Sequence, residues 1–501
     1  MFNTLVEAVL SHGSKIGDKP AIILKNTVLT YRRLSDQIKM VAFHLQKQYE
    51  IQAGDRVMIS GLSKPEYLVV FLGIQYLHAV TVPLDKVWLE DTVLRLYDFI
   101  QPKIVITDMT IHRADVPIVS LRSFYASVLE DQNTGVDEEY FLPEKDSIAE
   151  MLFTTGTTGT PKGAMLTYGN IRSITNNNIE GVGILPEDVV LDALPLCHSL
   201  GLREARMTLY VGATLVIQNG FSFPRELRNN IEGFQCTGFV CVPATMEQLT
   251  RSVEGFQELF GHFRYMEIGA GSLSYDLRKR LPQMLPDTQI YNTWGSSETG
   301  GVIFLDVNHR QDKITALGKP VSSAKIKVIG ENGEEIHATS IENAGRLAVH
   351  GNMTMAGYYK MPEATAAAID KDGWLHTGDL ACRLPNGTYK ITGRLKDMII
   401  RGGENIYPKE IEEFIYTHPA VQDVQVIAVP DKQYGEEICA CVILRKDAKL
   451  TEDELKDYVR SHMARHKVPR YVWFMDAFPM NAAGKILKYK MREEAAEKFA
   501  R

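Results

Sequence analysis

Residues 154–163 read TTGTTGTPKG and place five threonines, three glycines and one lysine in ten positions. The apolar segment 148–153 before them predicts a buried strand, so the stretch leaves the edge of a sheet where ligands of α/β proteins bind. Gly156 and Gly159 allow backbone amides to face an anion, and Lys162 adds a positive charge. The stretch therefore predicts a loop that holds a polyphosphate. A flexible linker is the alternative, but linkers seldom place PKG after such a strand.

The position of Lys162 excludes a Walker A loop. In a Walker A loop the lysine directly follows a glycine and precedes serine or threonine. Here Pro161 precedes Lys162 and Gly163 follows it. The stretch resembles instead the phosphate-binding signature of the AMP-forming acyl-adenylating enzymes, which include acyl-CoA and aryl-CoA ligases, firefly-type luciferases and carrier-protein adenylation domains.

Further segments match the same family in the order that the family requires. They read YNTWGSSE at 291–298, LHTGDL at 375–380, GRLKDMIIRGGENIYP at 393–408 and NAAGKILK at 481–488. The resemblance covers nearly the whole chain and is closest to a stand-alone acyl-CoA ligase. It implies ATP, Mg²⁺ and coenzyme A as the cofactors.

The resemblance gives specific roles to several residues. Trp294 is similar to the residue that stacks on adenine, Glu298 to the magnesium ligand, and Asp379 to the carboxylate that binds both ribose hydroxyls. Arg394 is similar to the residue that contacts the ribose or the α-phosphate. The ATP and AMP site that the resemblance implies consists of Thr154, Thr155, Gly156, Thr157, Thr158, Gly159, Lys162, Gly269, Ala270, Gly271, Asn292, Thr293, Trp294, Gly295, Ser296, Ser297, Asp379, Arg394 and Lys485.

Lys485 resembles the catalytic lysine of the adenylation half-reaction. A carboxylate that attacks a phosphate must overcome a repulsion of ~4 kcal/mol per pair of unit charges at ~4 Å in a site of intermediate dielectric. A lysine that contacts both partners offsets this repulsion. Lys485 also follows a glycine near an expected helix start, where the helix macrodipole disfavours a structural cation. The catalytic set implied is therefore Lys485, Lys162 and Arg394.

His198, in the segment PLCHSLG, resembles the residue beside the acyl-binding tunnel. A lone histidine is more often a structural residue, so the position within the family pattern carries this assignment. The acyl pocket that the resemblance implies is lined by His198, Gly201, Leu202, Val242 and Pro243.

Arg203 and Arg206 follow His198 at helical spacing, where apolar residues are more usual. The sequence leaves two interpretations open. The pair lies on a solvated helix face, which is the usual place for arginine, or one of the two binds a second polar or carboxylate group of the substrate. The acid is otherwise specified only as an apolar acyl or aryl group, of fatty or aromatic metabolism, since apolar pockets discriminate by only ~1–3 kcal/mol per methylene.

Residues 393–408 resemble the hinge and interdomain loop of the family. Lys396 is similar to the hinge residue, whose backbone rotation carries the lid between two positions. The resemblance implies a path for the acceptor thiol along Arg401, Gly402, Gly403 and Glu404. We therefore expect an N-terminal adenylate-forming domain over residues 1–395, which binds ATP and the acyl substrate, and a mobile C-terminal lid domain over residues 396–501.

The hydrophobic patterns predict an α/β fold. Strands alternate with helices before and after the phosphate loop, which implies right-handed crossovers and largely parallel sheets. Short β segments with turns over residues 318–389 indicate a small β subdomain. We thus expect a large N-terminal body of two stacked α/β layers plus this subdomain, and a small α+β C-terminal lid. The predicted strands are 56–60, 80–83, 103–107, 148–153, 211–217, 238–242, 421–429 and 437–445, and the predicted helices are 66–77, 89–100, 408–416 and 452–463.

The composition is that of an ordinary globular protein. The chain has 501 residues, 45% of them hydrophobic, and a net charge of -7, which argues against a nucleic-acid partner because such partners require a strongly basic face. The six cysteines form no CxxC pair and no spacing typical of a zinc site, which fits a reducing cytoplasm. No segment is apolar over the ~20 residues that a membrane span requires, and no secretory leader is recognisable.

We therefore expect an AMP-forming acid–thiol ligase. A carboxylic acid attacks Mg-ATP to give an acyl-adenylate and pyrophosphate, and coenzyme A then takes the acyl group. A first alternative passes the acyl group to the phosphopantetheine arm of a separate carrier protein. An alternative of another class, a non-catalytic nucleotide-binding regulatory protein, is disfavoured because the chain keeps the whole chemical set. That set is Lys162, Glu298, Asp379, Arg394 and Lys485. The sequence leaves the oligomeric state open, with a homodimer among the options.

Overall fold

A computed structural model describes most of the chain. The described residues are 1–113, 115, 117–131, 140–154, 161–221, 223–271, 273–308, 316–330, 332–337, 340, 343–480 and 486–499. The helices in this part are α1 (Leu5–Lys15), α2 (Tyr31–Tyr49), α3 (Pro65–Tyr76), α4 (Glu90–Ile100), α5 (Leu121–Glu130), α6 (Tyr168–Val182), α7 (Ser199–Val211), α8 (Pro224–Phe234), α9 (Pro243–Ser252), α10 (Phe256–Phe260), α11 (Tyr275–Met284), α12 (Pro362–Ala368), α13 (Pro408–Ile415), α14 (Glu452–Arg460) and α15 (Lys488–Phe499).

The strands of the described ranges form four sheets. They are β1 (Pro20–Leu24), β2 (Thr27–Thr30), β3 (Arg56–Ser60), β4 (Val80–Leu84), β5 (Ile104–Thr107), β6 (Ile118–Val119), β7 (Ile148–Thr154), β8 (Lys162–Thr167), β9 (Val189–Asp192), β10 (Thr214–Ile217), β11 (Gly238–Cys241), β12 (Tyr265–Ile268), β13 (Gln289–Ser296), β14 (Gly300–Asp306), β15 (Lys319–Pro320), β16 (Lys325–Ile329), β17 (Gly345–His350), β18 (Gly357–Tyr358), β19 (Leu375–Arg383), β20 (Tyr389–Arg394), β21 (Ile399–Arg401), β22 (Glu404–Ile406), β23 (Val421–Asp431), β24 (Gly435–Leu444) and β25 (Tyr471–Phe474). Short 3-10 helices lie at Leu395–Asp397 and Arg465–Lys467.

One sheet carries the strand that leads into the phosphate loop. Its seven strands run in the order β18-β8-β7-β4-β3-β5-β6, parallel from β7 to β6 and antiparallel at the β8 edge. The strand β4 is buried at every position, as a strand covered on both faces requires. The strands predicted at 56–60, 80–83, 103–107 and 148–153 are present as β3, β4, β5 and β7, and each ends within one residue of the prediction.

A second sheet carries the strands that precede the segments 269–271 and 291–298. Its nine strands run in the order β15-β14-β13-β12-β11-β9-β10-β1-β2, parallel from β13 to β1. The prediction of a strand over residues 211–217 is wrong at its start, since β10 begins only at Thr214. Val211 instead ends α7, and Gly212 closes the helix with a φ of 83°.

Helix α7 lies between the two sheets and binds to both. Arg206 donates hydrogen bonds from Nη2 to both carboxylate oxygens of Glu150 on β7, at 2.8 and 2.9 Å. Arg203 forms an ion pair with Glu267 on β12. Each arginine is 5% exposed, so the interpretation of a solvated helix face is wrong. The arginines are buried because tertiary packing brings each guanidinium to a buried carboxylate of a different sheet. This pairing offsets the cost of burying the charge.

The small β subdomain is a third sheet. It is antiparallel, with the strand order β16-β17-β19-β20, and it confirms the small β subdomain expected over residues 318–389. Its last strand continues to Arg394, which lies opposite Asp379 in the register of β19 and β20. This register places two residues from separate sequence motifs side by side.

The C-terminal unit has the expected α+β composition. Its sheet runs β22-β21-β24-β23, with β25 beside β24, and α13 and α14 share one core cluster while α15 packs in another. Thr451 and Glu454 form the capping box that their spacing predicts. Lys390 on β20 pairs with Glu413 on α13 at 2.7 Å and joins this unit to the β subdomain. No helix in the described ranges has both the length and the apolar character that a membrane crossing needs.

Replacing Arg206 by alanine should destabilise the protein strongly, because it leaves the Glu150 carboxylate buried without its partner. We expect the free energy of unfolding, measured by urea denaturation, to fall by about 3–5 kcal/mol. Arg32 provides the control, since its pair with Asp18 is solvent-exposed at 3.4 Å, and its alanine variant should change stability by less than about 1 kcal/mol. Equal losses in the two variants would contradict the structural role of the buried pair.

Candidate active site

The polyphosphate loop falls only partly within the described structure. β7 ends at Thr154, which pairs with Lys162 at the start of β8. The loop residues that lie outside the described part are Thr155, Gly156, Thr157, Thr158 and Gly159, and the side chain of Thr154 lies outside it as well. The ammonium of Lys162 lies 5.2 Å from the ring centroid of Tyr358, within the range of a cation–π contact.

Tyr358 brings Lys162 and Glu298 together. Its hydroxyl donates a hydrogen bond to Glu298 Oε1 at 3.0 Å. Burial, followed by the charge of Glu298, raises the pKa of Tyr358, so the phenol stays protonated and remains a donor. The Glu298 N–H donates to Ser296 Oγ at 3.2 Å, and its carbonyl accepts from the Met355 N–H at 2.8 Å. Sequence reasoning missed Tyr358, because no motif marks it.

The second oxygen of Glu298 has the chemistry of a magnesium ligand. Within the part of the chain that the structure describes, Oε2 makes no hydrogen bond, and the side chain is half-buried. Mg²⁺ prefers hard oxygen donors and is bound in nucleotide sites by one or two carboxylates together with phosphates and water. Glu298 fits this requirement, and Tyr358 holds the other oxygen so that the carboxylate has a fixed direction.

The Asp379 carboxylate contacts both Trp294 and Arg394. The indole N–H of Trp294 donates to Asp379 Oδ2 at 3.0 Å, and Nε of Arg394 lies 3.0 Å from Oδ1. The Asp379 N–H donates to Thr377 Oγ1 at 3.1 Å, which fixes the local turn. Asp379 is buried, whereas Trp294 is half-buried and Arg394 exposed. The cluster therefore presents an aromatic face, a carboxylate and a guanidinium at one edge of the site.

The segment after β12 lies beside β13. Ile268 pairs with Asn292 in the register of the two strands, and the Asn292 side chain donates to the Ile268 carbonyl at 2.9 Å. Asn292 Oδ1 also accepts from Arg278 at 2.8 Å. The side chain of Asn292 is therefore used to fix the two strands. Ala270 has a φ of 63°, so the segment turns sharply between Gly269 and Gly271.

The other residues at the end of β13 shape its turn into β14. Thr293 is buried, and a side chain at Gly295 would collide with the backbone of the returning strand. The Ser296 N–H donates to Thr299 Oγ1 at 3.2 Å. Ser297 is half-buried in the turn. These residues place Glu298 at the tip, which agrees with their position in the sequence motif.

The two glycines after β12 face α7 and α9. A Cβ at Gly269 would lie 3.2 Å from Leu200 Cδ1, and a Cβ at Gly271 would lie 3.4 Å from Pro243. Val242, next to Pro243, is 6% exposed and belongs to an apolar cluster that Leu200 contacts. The missing side chains at both glycines therefore allow the backbone to approach an apolar surface closely.

Gly201 and Leu202 occupy the first turns of α7 and are both buried. Gly201 lies against Leu194 and Pro195. Leu202 is 2% exposed and packs in the main core of the protein. The structure thus brings Leu200 to the Gly269 segment and leaves Leu202 in the core.

His198 lies immediately before α7 and pairs with Asp85 at the end of β4. Nε2 of His198 and Oδ2 of Asp85 are 2.9 Å apart, and Asp85 Oδ1 accepts the Val87 N–H at 3.1 Å. Burial would raise the pKa of Asp85, but the hydrogen bonds from His198 and Val87 outweigh burial and lower it. Sequence reasoning missed Asp85, although its place directly after a parallel strand is where functional side chains collect.

Three buried carboxylates, of Asp192, Glu204 and Glu267, lie close together. Glu267 forms the ion pair with Arg203, and Glu204 and Asp192 lie close enough for the Glu267 charge to act on them. Burial, followed by that charge, raises the pKa of Glu204 well above its ordinary value and the pKa of Asp192 to about 8. The Tyr265 hydroxyl donates to Glu204 at 3.0 Å. Burial therefore favours the protonated form of both Asp192 and Glu204.

Lys396 lies in the 3-10 helix Leu395–Asp397. This helix directly follows β20 and precedes β21, so it joins the β subdomain to the C-terminal sheet. Asp397 pairs with Arg492 on α15 at 2.6 Å, which ties one end of the connection to the C-terminal unit. Lys396 thus lies where the chain passes from one unit to the other.

The hairpin between β21 and β22 contains the four residues expected along the thiol path. They are Arg401, Gly402, Gly403 and Glu404. The two glycines form the turn with φ values of 59° and 89°, which other residues rarely adopt. Arg401 pairs with buried Glu437 at 2.8 Å, and its guanidinium lies 4.2 Å from the ring centroid of Tyr434. The exposed tip of the hairpin is therefore held by a fixed arginine.

Lys485 lies outside the described residues. The chain on either side is paired, because Met480 bridges Ile486 and the Leu487 N–H donates to the Pro479 carbonyl at 2.8 Å. Helix α15 begins three residues beyond Lys485, at Lys488. The catalytic role of Lys485 stays a prediction from the sequence.

Comparison with known proteins gives consistent matches over the chain. The family model of the AMP-binding enzymes matches residues 11–359, and the model of the AMP-binding enzyme C-terminal domain matches residues 410–485. Feruloyl-CoA synthase of Amycolatopsis sp. is 32% identical over 471 residues, which cover 93% of this chain and 94% of that protein. YngI of Bacillus subtilis (strain 168) is 39% identical over 362 residues, which cover 71% of this chain and 65% of that protein.

The structural comparison agrees with the sequence matches. ATP-bound MatB from Rhodopseudomonas palustris superposes with a TM-score of 0.89 and 26% identity, over 100% of both chains. The expected α/β body with a small C-terminal unit is confirmed. The chain belongs to the AMP-binding enzyme family. Within that family it is an AMP-forming acyl-CoA ligase.

Replacing Tyr358 by phenylalanine removes the hydroxyl that orients Glu298 and keeps the ring beneath Lys162. A hydrogen bond to a charged acceptor contributes about 1.5–3 kcal/mol, so we expect the KM for Mg-ATP to rise roughly 10-fold. Pyrophosphate release at varied Mg-ATP measures this change. The matched control is Tyr359→Phe, whose hydroxyl donates only to the Ile100 carbonyl at 3.3 Å, and its KM should stay within about 2-fold. Similar KM values in both variants would contradict the role of Tyr358.

Replacing Asp192 by asparagine should change how stability depends on pH. The unfolded chain loses this proton near the ordinary pKa of 3.8, whereas the folded protein keeps it up to about 8. The wild-type protein therefore loses stability as pH rises through this window, and asparagine cannot titrate. We expect urea denaturation to show the variant gaining stability relative to wild type between about pH 5 and about pH 8. If the difference in unfolding free energy between the variant and wild type stayed constant with pH, the raised pKa of Asp192 would be contradicted.

Proposed function

We propose that this ligase activates an apolar monocarboxylic acid with ATP and transfers the acyl group to free coenzyme A. The observation that carries the proposal is that Trp294 and Arg394 both contact Asp379. These residues lie near the segment 269–271, which faces Leu200 of α7. An aromatic face, a carboxylate and a cation suit adenine, ribose and phosphate respectively. The neighbouring apolar surface suits the acyl group.

The first step joins the acid to the nucleotide. A carboxylate oxygen attacks the α-phosphorus, the bond to the β-phosphate breaks, and pyrophosphate leaves with its electron pair. Lys485 contacts the carboxylate and the α-phosphate and reduces their repulsion, while Lys162 and the amides of the loop before it stabilise the negative charge of the phosphates. No covalent enzyme intermediate is needed.

The nucleotide is held by groups whose positions support these roles. Trp294 stacks on adenine, Asp379 accepts hydrogen bonds from the ribose hydroxyls, and Arg394 contacts the ribose or the α-phosphate. The backbone of residues 269–271 lies along the adenine and the acyl group. Glu298 holds Mg²⁺, which when bound neutralises phosphate charge and stabilises the departing pyrophosphate. Tyr358 orients Glu298 for this task, as their hydrogen bond supports.

The second step requires a different arrangement of the C-terminal unit. Residues 1–395 form the adenylate-forming domain and residues 396–501 the lid, which turns about Lys396. The turn removes Lys485 from the site and brings in the hairpin of Arg401, Gly402, Gly403 and Glu404. The coenzyme A thiol then attacks the acyl carbonyl, and AMP leaves. The location of Lys396 between two sheets supports its role as the hinge.

The preference for a monocarboxylic acid follows from the charges around α7. Arg203 and Arg206 are paired with Glu267 and Glu150, so neither offers a free cation to a second carboxylate. A Cβ at Gly269 would lie 3.2 Å from Leu200 Cδ1 and 3.8 Å from Nη2 of Arg203, whose charge is paired with Glu267. The name of the relative feruloyl-CoA synthase specifies an aryl-substituted acid, which agrees with an apolar pocket. An aliphatic or aromatic monocarboxylic acid is therefore favoured over a diacid.

Replacing Lys485 by alanine tests the first step. We expect acid-dependent pyrophosphate release to fall by about 100-fold or more, because one electrostatic contact to the developing charge is lost. Transfer from a preformed acyl-adenylate to coenzyme A should keep its rate. Lys490, which is exposed on α15, gives the control, and Lys490→Ala should release pyrophosphate at the wild-type rate. Full activity in Lys485→Ala would overturn the proposed chemistry.

A panel of acids and two acceptors tests the substrate and the thiol. Pyrophosphate release is measured with aliphatic, aromatic and dicarboxylic acids, and thioester formation is measured with coenzyme A and with a purified carrier protein. We expect turnover with apolar monocarboxylic acids and coenzyme A. A preference for diacids would contradict the substrate proposal, and acyl transfer only to the carrier would support the carrier-loading alternative. Pyrophosphate release with none of the acids would favour the regulatory alternative.

A further inference from the structure

Three side chains of types that bind metals converge beside the start of α7. Asp85 follows β4, and Cys197 and His198 precede α7. A carboxylate oxygen, the Cys197 sulfur and an imidazole nitrogen all lie within 4.8 Å of one another. Asp85 is buried, whereas Cys197 and His198 are half-buried, so the group is reachable from the site. The two segments are far apart in the sequence, and cysteine spacing alone gave no sign of such a site.

The donor set matches the preferences of zinc. Zn²⁺ binds sulfur at about 2.3 Å and nitrogen or oxygen at about 2.0–2.2 Å in a tetrahedron, which puts neighbouring donors roughly 3.3–3.8 Å apart. Small side-chain movements from the observed spacing reach this arrangement. Magnesium prefers oxygen donors only, so the group differs in kind from the carboxylate of Glu298. Three protein ligands leave one position open, and the His198 side chain is 33% exposed to solvent.

The three ligands are held in place by neighbouring contacts. Asp85 Oδ1 accepts the Val87 N–H at 3.1 Å, which leaves Oδ2 directed at His198. The backbone N–H of His198 donates to the Pro195 carbonyl at 3.1 Å, so the backbone that carries Cys197 and His198 is fixed. Such contacts around the ligands raise metal affinity, because the geometry does not have to be assembled on binding.

We propose that Asp85, Cys197 and His198 form a binding site for a thiophilic divalent cation such as Zn²⁺, with one coordination position open. On binding, the Cys197 thiol gives its proton to solvent, and the Nε2 proton of His198 passes through solvent to Nδ1, so that the imidazole stays neutral. The hydrogen bond between Asp85 and His198 is replaced by bonds to the cation. Occupancy would also draw His198 away from the acyl surface and inhibit the ligase. This second consequence rests on the proposed function, whereas cation binding itself does not.

Cobalt provides a direct probe of the site. Co²⁺ bound by a thiolate gives an intense near-ultraviolet charge-transfer band, which is absent without a sulfur ligand. We expect the wild-type protein to show this band at a single Co²⁺ per chain and to lose it on addition of Zn²⁺. Cys197→Ser should abolish the band, and Asp85→Asn should weaken Co²⁺ binding by at least about 10-fold. Absence of the band in the wild-type protein would overturn the proposal.

Cys236→Ser is the matched control for the cysteine substitution. Cys236 is buried and its sulfur donates to the Asn230 carbonyl at 3.4 Å, a contact that serine can keep. This variant should show the full cobalt band. A band that persists in Cys197→Ser, or that is lost equally in Cys236→Ser, would overturn the assignment of the ligands.

Ligase activity separates this proposal from the proposed function. Zn²⁺ should inhibit wild-type pyrophosphate release, a zinc-selective chelator should restore it, and Cys197→Ser should resist inhibition. A cobalt band in a protein that turns over no acid would support the cation site and contradict the proposed function. Turnover in a protein that lacks the cobalt band would support the proposed function and contradict the cation site. A band accompanied by no zinc inhibition would support the site and overturn its effect on His198.

Discussion

The buried ion pairs of α7 are the constraint on which the site depends. Arg203 binds Glu267 in the nine-stranded sheet, and Arg206 binds Glu150 in the seven-stranded sheet. A shift of either sheet would leave a carboxylate buried without its counter-charge, which costs several kcal/mol. The two sheets are therefore fixed relative to each other. Because Glu150 lies on β7, this pairing also fixes β7 relative to the segment after β12.

The same helix determines the character of the surface proposed to bind the acyl group. Its two arginines are used for structure, so the part that faces the site is Leu200 and the preceding His198. Glu204 and Asp192 carry raised pKa values and add no charge near neutral pH. Beside Gly269 the helix accordingly presents the apolar Leu200 side chain and the guanidinium of Arg203, whose charge is paired with Glu267. Arg203 and Arg206, which in the sequence would suggest a charged substrate, are thus the residues whose charges are paired within the fold.

The groups proposed to hold the nucleotide come from three sheets. Trp294 lies near the end of β13 in the nine-stranded sheet, Asp379 and Arg394 face each other in the β subdomain, and Tyr358 lies at the edge of the seven-stranded sheet. Their contacts cross the boundaries between sheets, so each sheet supplies groups that the others orient. The hydrogen bond from Tyr358 to Glu298 is an example, because it links the predicted metal ligand to the sheet that carries Lys162.

The sequence by itself determined the α/β class, most strand and helix positions, and the motifs of the family, because hydrophobic periodicity and local loop chemistry are properties of neighbouring residues. It could not decide the surroundings of Arg203 and Arg206, and it missed Asp85 and Tyr358. These depend on contacts between segments far apart in the chain. Burial of a charge is decided by whether a counter-charge arrives from another element, and only the packed sheets supply Glu150 and Glu267. The convergence of Cys197 with Asp85 was likewise decided by tertiary structure, since no local spacing encodes it.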